Sequence, residues 1–301
     1  MGDRNYYRTH STIKPLSELN LSLVLDWLDL PVRMQVYFET NIFITMEKIM
    51  ITNPVLETML NHKSVRKFTR EKPDDEVLEA IVRAGQQAPF ASQLYSVLLS
   101  RKPRLPFGGT LLFTICVDFY KLELFMGRRG WKRVSNDLGM LFFGIQDAAL
   151  MAQNMVTAGE SLGLGSCFLG STPYRAERIK KEYHLPDGVF PLVQLTMGYT
   201  AEKFPPRPRY PLAFTLFEDE YKITEEMLTE AMQTMDEGYL AQGYYKKQKA
   251  KIKLEDDRED TFTYDDYSWT EHISRKWGQW MKDPDELMDQ LSKCGMDWRK
   301  K

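Results

Sequence analysis

His62-Lys63-Ser64-Val65-Arg66-Lys67-Phe68 is the stretch on which the reading of this 301-residue chain turns. It places four potentially cationic side chains, a hydroxyl and two apolar anchors in one short run. Extended, it sets His62, Ser64 and Arg66 on one face, because side chains alternate along a strand. Such a face suits an anion. A solvated basic strand edge has the same composition, so the neighbouring sequence has to decide between the two.

Upstream, Val55–Leu60 makes a short helix that Asn61 ends. Downstream, Pro73-Asp74-Asp75-Glu76 opens a second helix, with acids in the first turn where the helix dipole favours them. Val77, Leu78, Ile81, Val82 and Ala84 form its apolar stripe as far as Gly85. Pro89 breaks that helix, and Phe90-Ala91-Ser92-Gln93 reads as a turn. Tyr95–Ser100 and Leu111–Val117 read as buried strands on either side of the turn-rich Lys102–Gly109. Leu138–Leu164 is the longest apolar periodic run, and its glycines and alanines would let another helix approach closely. It reads as a central helix, either at a subunit interface or in the core of a monomer.

Gly163–Gly170 then ends that helix and leads into a short strand. Neither common nucleotide motif fits it. A dinucleotide fingerprint needs glycine at its sixth position after a strand, where Phe168 stands and a helix precedes. A phosphate loop needs lysine after its second glycine, where Ser171-Thr172 follows. The glycines read instead as a helix stop and a close backbone approach to something flat. Ala176–Tyr183 is a short helix and Val193–Tyr199 a strand. Prolines hold Phe204–Pro211 extended, which would point Arg207 and Arg209 the same way, a pair suited to a phosphate but equally compatible with a solvated linker.

Beyond Phe217 the composition changes. Ile223–Tyr245 is polar and helical, Leu254–Asp266 is an acidic loop, and Asp283-Pro284 starts a last helix through about Leu291. Phe262, Tyr264, Tyr267, Trp269, Trp277, Trp280 and Trp298 crowd this tail, which is therefore expected to pack along the core or a partner subunit. At the other end, residues 1–53 are irregular, with a short helix at Leu21–Leu30 and strand character over Met34–Thr45. They read either as an extension or as an upstream start, with Met46 or Met50 opening the chain proper. The regular pattern from Pro54 favours the second.

Bulk properties narrow the classes. The 40 basic and 42 acidic residues nearly cancel, which argues against nucleic acid as a partner and makes any anion site local. Cys116, Cys167 and Cys294 are far apart and odd in number, which suits a reducing compartment and argues against disulfides or zinc. His10, His62, His184 and His272 form no metal-spaced pair, so no metal is expected. Nothing reaches the roughly 18 uninterrupted apolar residues of a membrane span. Gln146, Asp147, Gln153 and Glu160 interrupt the longest candidate, so no membrane is expected and the cytoplasm is the default.

In this order the pieces resemble the nitroreductase family of FMN-dependent NAD(P)H oxidoreductases. The resemblance rests on His62–Phe68, the Pro89–Ser96 turn, Gly144–Gly170 and Pro206–Pro211. It is closest to the group with an extended C-terminal arm, on Met235-Asp236-Glu237, Tyr244-Tyr245 and Ser268–Ile273, and covers about residues 54–301. It implies an α+β, three-layer fold, with a central mixed or antiparallel sheet flanked by helices and a long helical C-terminal extension. The implied division is an N-terminal extension (1–53), an FMN-binding core (54–217) and an arm on the core or partner subunit (218–301). A homodimer with two FMN molecules at its interface is implied. So is ping-pong hydride transfer from NADH or NADPH through flavin N5 to a nitroaromatic, quinone, flavin or similar acceptor.

Carried over by position, the resemblance implies that His62, Lys63 and Ser64 reach the FMN phosphate and ribityl region and that Arg66 approaches the pyrimidine edge. It also implies that Arg207 and Arg209 hold the phosphate, that Ser92 and Gln93 lie near the flavin or ribityl chain, and that the backbone of Leu169 and Gly170 faces the ring. No catalytic acid or base is needed, since the cofactor carries the redox chemistry. Two departures stand out. The family turn often reads Pro-Ser-x-x-Asn-x-Gln-Pro, whereas here Phe90 follows Pro89 and Gln93, Tyr95 and Ser96 stand later. Lys102–Gly109 is also short where the closest group supplies a glutamine to the ring. These departures leave open a specialised flavoenzyme of the same fold, of reductive-dehalogenase or flavin-fragmenting type. The aromatic tail leaves open a non-catalytic flavin-binding or interaction protein.

Overall fold

Leu111–Asp118 (β2) is buried along its whole length, and the fold is assembled on it. The computed structural model describes residues 51–279 and 283–297. The expected elements within 1–50, and Trp280 and Trp298, lie outside the described residues. The described residues belong to one compact unit.

β2 pairs antiparallel with Tyr95–Ser100 (β1) and with Val189–Tyr199 (β4), and β4 pairs antiparallel with Leu164–Leu169 (β3). The four-stranded order is therefore β1-β2-β4-β3. β4 begins earlier than its sequence suggests, because a register shift opposite Ile115 and Cys116 admits Pro191. A proline has no N–H for a ladder, so an irregularity is where a strand can carry one. Leu164 and Gly165 belong to β3 itself, while Gly163, with φ +84, makes the turn that ends the preceding helix.

Helices Asp75–Gln86 (α2) and Asp137–Ser161 (α4) cover one sheet face. Ile81 of α2, Ala148, Met151, Met155 and Val156 of α4, and Phe113, Ile115, Leu195 and Met197 of the sheet close that core. A Cβ on Gly85 would meet Met155 at 2.6 Å, and one on Gly144 would meet Val117 at 2.4 Å, so these glycines set the packing distances. On the opposite face Gln194 Nε2 donates to Thr114 Oγ1 at 3.0 Å. The turn Pro173–Arg175 lies beside it, backed by Ala176–Tyr183 (α5) and Pro284–Lys293 (α9). This is the α+β layered arrangement, with an antiparallel sheet between helices.

Two helices escape the sequence reading: Tyr120–Arg128 (α3) and Trp269–Gln279 (α8). Pro54–Leu60 (α1) is held by the side chain of Asn53, which accepts from the N–H groups of Val55 and Leu56. The tail folds into Glu225–Gln242 (α6), Tyr244–Gln248 (α7), α8 and α9. Its aromatics divide: Tyr245 and Tyr267 are buried, whereas Trp277 stays exposed. α9 returns to the core, where Leu291, Cys294 and Met296 pack with Val117 and Phe190.

Candidate functional site

The basic stretch is extended and runs beside β3. Ser64 bridges Ser166 in parallel and Phe68 bridges Thr200 in antiparallel fashion, while Val65 N–H donates to Ser166 O at 2.7 Å. Val65 is the buried anchor, fitted so closely that a Cβ on Gly165 would lie 2.6 Å from its Cγ2. The glycine at 165 thus admits Val65, and Gly198 admits Phe68. Gly170, by contrast, faces open space.

The polar side chains divide between two cavities, and not by strict alternation, since adjacent Arg66 and Lys67 share one. Ser64, Arg66 and Lys67 line a cavity of about 650 Å³ together with Phe107, Glu202, Lys203, Phe204, Arg207 and, from the tail, Gln242, Tyr244 and Lys247. Five cationic side chains face one carboxylate there. That carboxylate, on Glu202, accepts from Arg66 N–H at 3.1 Å. Phe107 stands at the wall with φ +59, a left-handed conformation that few non-glycine residues adopt and that clusters at functional sites. Lys63 instead lines a neighbouring cavity of about 400 Å³ with Glu57, Glu160 and Gly165. Lys63 and Arg207 both lie over the ring of Phe204, at 5.6 and 5.0 Å from its centroid.

Arg207 is the most constrained of the cations. Its guanidinium stacks on Tyr244 at 4.2 Å and donates to Gln242 Oε1, while Gln242 Nε2 donates to Pro206 O at 2.9 Å. One amide on α6 thereby grips the arginine and the backbone beside it. Pro208 seats on Gly238, where a Cβ would come within 2.5 Å. Arg209 differs from the expected parallel pair. It is exposed and folds its guanidinium back on the carbonyls of Arg207 and Pro208, at 3.0 and 3.1 Å. The field of all three arginines still reaches Tyr239: burial and Tyr244 push its hydroxyl pKa up, while Arg207, Arg209 and Arg66 oppose the shift. Burial likewise raises the Cys167 thiol, against the pull of Arg66 beside it.

The remaining expected residues lie elsewhere. His62 Nδ1 meets Glu160 Oε1 at 2.8 Å, and Ser166 Oγ donates to the same oxygen at 3.4 Å. Ser92 and Gln93 line a separate cavity of about 350 Å³ with Gln86, Tyr95, Asp118, Lys121 and Phe125. Leu169 ends β3, its carbonyl accepting from Thr172 Oγ1 at 2.6 Å, and neither it nor Gly170 lines the cationic cavity. Gln242, Tyr244, Lys247 and Phe107 are wall residues that pattern reading missed. The aromatic-rich composition of the tail signalled packing on the core or a partner, but none of the described aromatics that carried that signal lines the cavity.

Among the described residues, no cluster of three or more His, Cys, Asp or Glu is placed to hold a metal ion, and no helix is long and apolar enough to cross a membrane. Bringing a flat aromatic wall and several guanidinium and ammonium groups together is what an anionic, partly aromatic small molecule requires.

The profile of the nitroreductase family matches residues 59–102 and 99–199. The chain is 30% identical over 202 residues to an FMN reductase (NADPH) of Bacillus subtilis, spanning 61% of this chain and 81% of that protein. It is 29% identical over 262 residues to a Cr(VI) reductase of a Pseudomonas species, spanning 81% of this chain and all of that one. In fold it is similar to the solved structure of NfrA2 from B. megaterium, at a TM-score of 0.70 and 22% identity, with 83% of this chain and 100% of that one covered.

Proposed function

The chain belongs to the nitroreductase family, and from that premise we propose that it is an FMN-dependent oxidoreductase that uses NADH or NADPH to reduce a small-molecule acceptor such as a nitroaromatic, a quinone or free flavin. The single observation that carries this reading is the cavity between the basic stretch, the Phe204–Arg207 segment and the tail. Its volume falls within the roughly 300–1,000 Å³ typical of small-molecule sites. Its charge suits a phosphate and its rings suit an isoalloxazine. The residues present fit the cofactor.

In this reading Arg207, held by Gln242 and Tyr244, is the principal phosphate ligand, assisted by Lys67 and Lys247. Arg209 contributes field more than contact. Ser64 lies towards the ribityl chain, and Arg66, on the same wall, takes the pyrimidine edge of the ring. A fixed cation there favours negative charge developing on the ring, without solvent reorganisation. The tail supplies one wall of the cavity through Gln242, Tyr244 and Lys247. FMN, when bound, supplies the two-electron redox chemistry that joins NAD(P)H oxidation to acceptor reduction.

The same reading makes the protein a homodimer, located in the cytoplasm, with an FMN-binding core over 54–217 and an arm over 218–301. Support for the dimer comes from α4, whose Phe142, Phe143 and Leu150 are exposed, as is Phe125 of α3. Large exposed apolar side chains of this kind suit an interface. Ser92 and Gln93, away from the cationic cavity, fit a site that a second copy completes.

A visible spectrum of the purified protein, followed by anaerobic titration with each nicotinamide, tests the proposal. One FMN per chain, bleached by NADH or NADPH, is the expected result. Flavin that neither nicotinamide reduces would leave a binding protein and sink the oxidoreductase reading.

A further inference from the structure

Asp147 sits in the middle of α4, 1% exposed, and its carboxylate accepts from the N–H groups of Ala91 at 2.6 Å, Ser92 at 3.1 Å and Leu94 at 2.9 Å. All of these hydrogen-bond partners are backbone, and among the described residues the carboxylate forms no ion pair. Burying an unpaired carboxylate is costly unless several donors converge on it, as they do here. Among these amides the buried N–H of Leu94 needs such an acceptor for folding, but the others do not. Ala91, Ser92 and Gln93 are exposed, so water could satisfy their backbone as it does in most surface turns. Instead the amides of Ala91 and Ser92 also meet that carboxylate, while the side chains of Ala91, Ser92 and Gln93 stay exposed.

The strain in the turn agrees. Gln93 has φ +53, between two amides that Asp147 fixes, and Tyr95 N–H closes the turn on Gln93 O at 2.8 Å. A left-handed non-glycine residue costs free energy and persists where the surroundings over-determine it. Ser92 and Gln93 are then presented at fixed angles on the rim of the 350 Å³ cavity. The position of Asp147 adds a link, because the same helix exposes Phe143 and Leu150 on its outer side. The helix that offers the apolar face also sets the turn.

We propose that Asp147 is a positioning residue: its buried carboxylate locks the Ala91–Leu94 turn so that Ser92 and Gln93 are presented, pre-organised, to the flavin cofactor. This rests on the flavin reading above, in which a second copy brings the cofactor to Ser92 and Gln93. Pre-organisation of this kind lowers the ordering cost of binding.

The test pairs amide exchange in the flavin-free protein with cofactor binding. In the wild type, the amides of Ala91, Ser92 and Leu94 are expected to be protected despite lying in an exposed turn, and fast exchange there overturns the proposal even if no variant folds. Asp147→Asn retains the shape but turns one acceptor into a donor facing N–H groups. It is expected to speed exchange at these amides about tenfold or more, with β4 amides unchanged, and to weaken FMN binding about tenfold, in line with a loss of about 1.4 kcal/mol. In a chain already carrying Ser92→Ala and Gln93→Ala, it should weaken FMN binding by no more than about twofold, since coupled residues are not additive. A loosened turn with unchanged FMN affinity and flavin potential would make Asp147 merely structural. An equal loss in both backgrounds would do the same. A wild-type protein that binds no flavin fails the functional reading instead, and the exchange arm still decides whether Asp147 holds the turn.

Discussion

Arg207 and Arg209 look equivalent in the sequence and are not equivalent in the fold. The first is clamped by Gln242 and by the rings of Phe204 and Tyr244, and the second rests on carbonyls in solvent. Arg207→Ala is therefore expected to weaken FMN binding by about 1–3 kcal/mol, the loss of a charged hydrogen-bond partner, with Arg209→Ala costing less. Fluorescence titration of flavin-free protein with FMN checks the order, and a larger effect at Arg209 would reverse the assignment. At this scale charge clusters and prolines mark the basic stretch and the two arginines in the sequence directly, but not that Ser64, Arg66 and Arg207 line the cavity while His62, Lys63 and Arg209 do not. Asp147, Glu160 and Gln242 were not legible. Each acts on a partner 35 or more residues away, so no local pattern announces it. Asp147 was visible only as a charge that spoils a membrane span.

Among elements, the basic stretch depends on β3 for its position. Gly165→Ala would force a methyl into Val65, at 2.6 Å from Cγ2. Overpacking of this kind costs about 1–3 kcal/mol, so a lower melting temperature and weaker FMN binding are expected together. A thermal scan with and without FMN measures both, and unchanged stability would mean that Val65 is free to move. The arm carries its own chemistry. Buried Arg275 grips Asp260 through both carboxylate oxygens, at 3.0 and 2.8 Å, and Lys251 joins at 2.8 Å. Those hydrogen bonds to Arg275 and Lys251 hold the Asp260 pKa well below its usual value. Burial, with Lys276 nearby, lowers that of His272, which packs on Tyr245 at 4.6 Å.

Both groups have folded pKa values below their unfolded ones, so both contribute stability that is full at high pH and is lost as the pH falls. For His272 the loss begins below about 6.5, and for Asp260 below about 3.9. Tryptophan fluorescence during acid titration should show the arm loosening first as His272 charges. A His272→Gln variant should lack that first step, and an identical titration in both proteins would contradict the assignment. The longer helices and the strands were legible from periodicity and punctuation. α3 and α8 were not, because both are short and carry several charged residues among their apolar ones, and β4 was clipped because its proline reads as a boundary.

Among the described residues α4 carries an exposed apolar face, with Phe142 62% exposed, and Phe125 of α3 is 66% exposed. Phe142→Glu, placed in that face, is expected to shift sedimentation from dimer to monomer and to reduce bound FMN. A dimer unaffected by the charge would put the interface elsewhere. Fold class was legible because motif order and helix–strand alternation survive in one sequence. The assembly of the cavity was not, since its walls come from residues 64–67, 107, 202–207 and 241–248, joined only by folding. The most direct test of the account is a crystal structure of the FMN-loaded protein. The phosphate is expected against Arg207 and the ring beside Arg66. Flavin bound without contact to either arginine would contradict it.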